Sequence, residues 1–220
     1  MTTIAKNTTI SSKIANATAS NNKQEPAKKY EFINDGEYID GHFLTRIRAL
    51  RDFADVKKGD LGSYIEKEDN LSHEGNCWVY NKARVFQNAR VFGNAKVKSF
   101  FVDVYGNAQI YDNARITDHA HISDDAVICD NAHVGGNAKI SGSAYICDES
   151  RVFDDAVICD ALISGNSYIH SNASLTANED ICDDAYPEFG SEDDYYRHEY
   201  YDDCEGYYDD DDSQYENEAA

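Results

Sequence analysis

Four histidines, His119, His121, His133 and His170, are the side chains of this 220-residue chain best suited to general-base chemistry. A neutral imidazole takes a proton from an acceptor hydroxyl held beside it. Thiols are the second candidate set. Cys129, Cys147, Cys159 and Cys182 all sit in the phrase Ile-Cys-Asp, and Cys77 and Cys204 complete the six. Cys129 and Cys147 are 18 residues apart, a spacing open to three readings: a disulfide, a metal pair, or a repeated phrase with no chemistry of its own. No Cys-x-x-Cys pair and no converging histidine supports a metal set, and a reducing compartment would keep the thiols free. The sequence has no phosphate-cradling glycine loop, no Ser-His-Asp set and no His-Glu-x-x-His pattern. These residue types lead to no assigned catalytic residue, no metal and no cofactor.

The histidines and most of the cysteines fall within a cycle of six. Aliphatic residues, nearly all β-branched, recur in 18 units from Val79 through Val85, Val91 and Val97 to Leu175 and Ile181. Four residues after most of them comes a small residue, from Ala83, Ala89 and Ala95 to Ala173, with Ser150 and Ser167 in two units. Asn or Asp precedes the small residue (Asn88, Asn113, Asn131, Asp155), often after a glycine such as Gly93, Gly136 or Gly165. A period of six does not fit a helix of 3.6 residues per turn, and a propeller repeats every 40 residues or so. β-branched residues suit a buried strand position, and Gly, Asn and Asp tolerate positive φ in a turn. The expected fold is therefore all-β: a parallel β-solenoid of about six coils, roughly 29 Å long at one strand spacing per coil.

That fold fixes where the chemistry would sit. His119 takes the Asn turn slot, His133 and His170 flank inward residues, and all four histidines are expected on the surface of a regular coil. Cys129 and Cys147 would stack one above the other just after an inward isoleucine, facing outward. The register slips twice. Val97 to Val104 is seven residues, with Phe101 expected in the alanine slot as a bulge, and Ile158 to Ile163 is five. Bulges often lie near functional sites.

The aliphatic-x-x-x-small-x pattern resembles the hexapeptide repeat of left-handed parallel β-helices, over about residues 77–182. Such enzymes include acyltransferases that use a histidine base between the subunits of a trimer, with acyl-CoA laid along the rod; the extruded loop and C-terminal helix usual in them are not visible here. Residues 30–76 do not repeat. They read as a small β-rich cap, "KYEFIND" and "HFLTRIRALRDF" being two strands joined through "GEYIDG". The stretch with Arg48, Ala49, Asp52, Phe53, Asp55, Val56, Lys57 and Gly59, then Tyr64, then Asn70, Leu71, Ser72, Gly75, Asn76, Cys77 and Trp78, is similar to the head of the phage and bacterial YdcK-like solenoid proteins. That resemblance implies a cap followed by a hexapeptide solenoid, in a family labelled transferases on repeat similarity alone. It implies no activity.

Charge divides the rest. The formal net charge is −21. Residues 1–29 are polar and net +4, residues 30–178 net −8, and residues 179–220 net −17. The expected organisation is a disordered tail over 1–29, a cap over 30–76, a β-helix over 77–182 and a disordered acidic tail over 183–220. No run is long and apolar enough for a membrane span or a secretory signal, so a cytoplasmic protein with no membrane contact is expected. The acidic balance argues against direct nucleic-acid binding. The tail mixes acids with tyrosines, and Tyr195, Tyr196, Tyr200, Tyr201, Tyr207 and Tyr208 are its candidate binding residues. The leading functional reading is a non-catalytic, rod-shaped interaction protein of phage or mobile-element origin, with a basic protein partner. It is able to form homo-oligomers, and mimicry of nucleic acid is one form of the role. The alternative is a trimeric acyltransferase using acyl-CoA.

Overall fold

The structure, a computed structural model, describes residues 28–99, 101–177 and 179–182. A solenoid is the arrangement in which a six-residue unit buries one aliphatic side chain while its backbone pairs with the unit three places on. That is what the strands show. Val79 pairs with Val97, Val97 with Ile116, and Ile116 with Val134, all parallel. Three sheets of nine, six and five strands result, one along each side of the coil. The only helix among the described residues is a 3₁₀ turn, Glu68–Asn70.

The cap is continuous with the rod. Strand β1 (Tyr30–Ile39) pairs antiparallel with β2 (His42–Ala49) around a two-residue turn at Asp40 and Gly41, both at positive φ. The turn is tighter than "GEYIDG" suggests, because Asp-Gly suits the mirror-image turn that joins twisted strands. Strand β3 (Leu61–Ile65) then pairs antiparallel with β2 on one edge and parallel with the short strand Arg84–Val85 on the other. Leu71 forms a parallel bridge to Val91. Ile65, Leu71 and Val79 are thus the three inward residues of the first coil, which begins inside the non-repeating stretch. The hairpin covers what would otherwise be an open edge of the nine-stranded sheet.

The core is a column of aliphatic residues with small residues at the corners. Ile110, Ile116, Ile122, Ile128, Val134, Ile140 and Ile146 are all fully buried, as are Ala108, Ala114, Ala120, Ala126, Ala132, Ala138 and Ala144. Each such isoleucine contributes about 1.5–3 kcal/mol relative to exposure. Ser150 fills one small slot by donating its hydroxyl to the Cys147 carbonyl, and Ser167 fills another by donating to the Ser164 carbonyl at 2.6 Å.

The corners explain the Asp and Asn content. The second residue after most inward aliphatics has positive φ, and it is Gly (93, 106, 136, 142, 165), one of Asn81, Gln87 and Ser171, or, most often, Asp (112, 118, 124, 130, 148, 154, 160). Aspartate tolerates that conformation and adds a bond. Asp118 accepts from the Gly136 N–H at 3.0 Å, Asp124 from Gly142 at 3.1 Å and Asp148 from Gly165 at 2.9 Å, one coil further on. The next position forms an amide ladder: Asn94 donates to Asn113 and Asn113 to Asn131, both at 3.1 Å, and Asn107 donates to Asp125 at 2.8 Å.

At the seven-residue slip the inward slot belongs to Val102, which is fully buried, while Phe101 is 58% exposed. The expectation of Phe101 in the alanine slot is corrected. A ring has no room where alanine fits elsewhere, so the extra residue turns the ring outward and the smaller Val102 takes the corner. At the five-residue slip Ala161 takes the corner, 2% exposed.

Candidate functional site

The outward position just before each inward aliphatic forms a straight ladder up each face. On the nine-stranded face the ladder reads Tyr64, Arg84, Asp103, His121, Lys139, with each residue paired to the next. Strand spacing puts such side chains about 4.8 Å apart. Arg84 donates to both carboxylate oxygens of Asp103, at 2.5 and 2.7 Å. The other side of Asp103 faces His121, with Nδ1 3.5 Å from Oδ2. Burial grades along the ladder: the Asp103 side chain is 13% exposed and His121 44%. The bidentate pair is a charge-assisted contact, and the hydrogen bond to Asp103 holds the Arg84 pKa above its ordinary value. A carboxylate beside Nδ1 favours a proton there and leaves Nε2 to act as base. The outward Phe101 ring stacks on His119, centroids 4.8 Å apart and planes at 7°. The slip thus places an aromatic platform one coil below the turn that carries His119, next to the strand that begins at His121.

The structure does not bring the four histidines together. His133 lies on the six-stranded face, edge-on to Phe153 at 4.8 Å and 3.2 Å from the Thr117 hydroxyl. His170 contacts Ser171 at 2.9 Å. Asp103 and Arg84 carry the arrangement and were not singled out from sequence. Their signal was there: Arg84, Asp103 and His121 each precede an inward aliphatic, at spacings of 19 and 18 residues.

The cysteines correct a second expectation. Cys129 and Cys147 are not outward-facing: they are 1% and 9% exposed. They occupy the corner position just after the inward isoleucine, where the chain turns and the thiol lies beneath its neighbours. Cys129 bonds with the Tyr145 hydroxyl at 3.3 Å, which lies 3.4 Å from that of Tyr111. Both thiols are free. Burial, then the nearby Asp148 and Cys129, pushes the Cys147 thiol up to about 12. Asp130, Cys147 and Asp148 could offer three donors within 4.8 Å of one another, but a thiol held protonated at neutral pH is a poor ligand. Around pH 8, iodoacetamide should label exposed Cys182 quickly and Cys129 and Cys147 only after denaturation, read by peptide mass spectrometry. Equal labelling in the native protein would refute the buried corner. An unfolded thiol ionises near 9.0 and the folded Cys147 near 12, so between these values only the unfolded state loses the proton. Stability should therefore fall as pH rises through that window.

The candidate tail residues Tyr195, Tyr196, Tyr200, Tyr201, Tyr207 and Tyr208 lie outside the described residues. Among the described residues no helix is long and apolar enough to cross a membrane.

No protein-family profile matches the chain. A stretch of 42 residues is 43% identical to the uncharacterized acetyltransferase YdcK of Escherichia coli (strain K12), spanning 19% of this chain and 13% of that protein. The chain has a hexapeptide-repeat β-solenoid architecture and local homology to that protein.

Proposed function

We propose that this protein is a rod that binds a protein partner through an ordered array of carboxylates, and that the partner is one whose own surface is built for nucleic acid. The observation that carries this reading is the polarity of the rod. Residues 77–102 hold five bases and no acid, whereas residues 103–182 hold thirteen acids and three bases. The corner aspartates of that second part are pinned by backbone N–H groups of the next coil, so little ordering entropy is lost on binding. Its net −10 spreads over roughly 21 Å of coil stack, against about 12 phosphates in that length of duplex DNA. Phage or mobile-element origin would suit such a role.

Affinity capture with the full chain tests it. Partners should be lost between about 50 and 500 mM salt, and duplex DNA should displace them. Capture that resists both would refute the reading. A chain ending at residue 178 that loses every partner assigns the contact to the terminal segment; one that keeps them assigns it to the rod.

The ladder geometry supports a second reading, acyl transfer from acyl-CoA with His121 as base and Asp103 orienting it, and the local similarity to YdcK favours it. The expected result with acetyl-CoA and a panel of hydroxyl acceptors is no thiol release above background. Release that disappears in His121→Ala and survives in His170→Ala would establish the enzyme and displace the first reading.

A further inference from the structure

We propose that the six-stranded face is the docking site for this chain's own acidic segment beyond residue 182. The proposal does not depend on the binding role above. The outward ladder of this face reads Lys96, Arg115, His133, Arg151, one residue per coil and in register. The nine-stranded face carries Arg84, Asp103, His121 and Lys139, with a carboxylate paired to its arginine, and the five-stranded face carries Arg90, Gln109, Val127, Tyr145 and Leu162. Arg115 and Arg151 stand two rungs apart on this face, about 10 Å, a spacing that one extended acidic chain can follow. Lys96 is met by Asp55 of the cap, at 3.1 Å. Among the described residues Arg115 forms no ion pair. Toward the C-terminal end the ladder becomes aromatic. Phe153 lies against His133, and Tyr168 is 6.1 Å from Phe153. Gly135 leaves the space that the Phe153 ring uses, since a Cβ there would come within 2.8 Å of it.

The occupant is named by composition and by path. Residues 183–220 hold sixteen acids, eight tyrosines and a single Arg or Lys, Arg197. Carboxylates match the guanidinium groups, and tyrosine rings match both the guanidinium planes and the aromatic end of the stripe. The inward residues wind from the six-stranded face (Ile169) to the nine-stranded (Leu175) to the five-stranded, where Ile181 bridges to Ile163. One more unit of the same winding would return to the six-stranded face, one rung above Ile169. From there Arg115 is about four coils away, roughly 19 Å, which an extended chain covers in about six residues.

Arg197 makes the segment its own reporter. With the full chain at about 50 mM salt, trypsin should cut at Arg197 several-fold more slowly than in the doubly substituted Arg115→Gln/Arg151→Gln chain, with cuts at Lys6, Lys13 and Lys23 as the internal clock. Both substituted side chains are exposed, and a matching melting curve confirms that the variant folds. In the unmodified chain the protection should vanish near 500 mM salt, where exposed charges are screened. Equal cutting of the two chains at low salt overturns the proposal. So does protection that survives in the substituted chain but is lost when Lys6, Lys13 and Lys23 become Gln, which assigns the segment to the N-terminal lysines. Protection that falls on dilution assigns it to a second copy and overturns docking within one chain.

Discussion

Ile140→Asp should leave no cooperatively folded rod. Ile140 is fully buried, paired with Ile122 below and Ile158 above. The substitution removes about 1.5–3 kcal/mol of apolar burial and puts a carboxylate among aliphatic side chains, which costs several kcal/mol more whether it stays charged or takes a proton. The sum approaches the 5–15 kcal/mol that holds an ordinary domain together. A coil touches only the coils above and below it, so a break there also separates the two halves of the column. Lys139→Asp is the control, one residue earlier on the exposed side, and should change stability by no more than about 0.5 kcal/mol. Circular dichroism and a thermal melt decide the matter. Two variants that melt alike would mean that the inward register is wrong.

Gly136→Val should be a severely damaging change at a corner. Gly136 has φ of 62°, and a Cβ there would lie 2.4 Å from the Asp154 nitrogen and 2.7 Å from its Cα. A β-branched residue is the worst fit to that conformation, and the backbone it would strike is the corner of the next coil, where Asp154 is itself at positive φ. The cost should reach about 3 kcal/mol, combining the left-handed penalty with displacement of the neighbouring coil. Gly136→Asp should be milder, because Asp118 and Asp154 hold the same conformation one coil below and one coil above. The melting temperatures should therefore fall in the order unmodified, Asp, Val. A Val variant as stable as the unmodified chain would show that the corner does not need positive φ.

Much of this architecture was legible because an inward position tolerates so few residue types. Ile122, Ile128 and Val134 could be placed from the period alone, since each must be aliphatic and each must recur. Corners were harder. The strict alternation of a strand sends the residue after Ile128 outward, but the chain bends at the next residue, Asp130, into positive φ, and Cys129 is covered instead. The seven-residue slip left two candidates for one slot, and only packing chooses Val102 over Phe101. The pairing of His121 with Asp103 was hidden for another reason. Contacts in a solenoid are made across a full turn, so chemistry has to be read down a column of residues about 18 apart, and not along neighbours. Nothing in local composition says which column matters.

The parallel pairing of each inward residue with the one a coil away makes the rod a ruler graduated in single turns. Copying one complete turn of 18 residues into the middle, for example 121–138, would lengthen it by about 4.8 Å and keep every stripe of side chains in line, because each stripe advances one residue per turn. Length in this protein is set by counting, and selection can change reach without redesigning a surface. The turn at Phe101 and the short turn at Ile163 mark where that counting has been altered by one residue, and in both places the stripes on all three faces continue without a break.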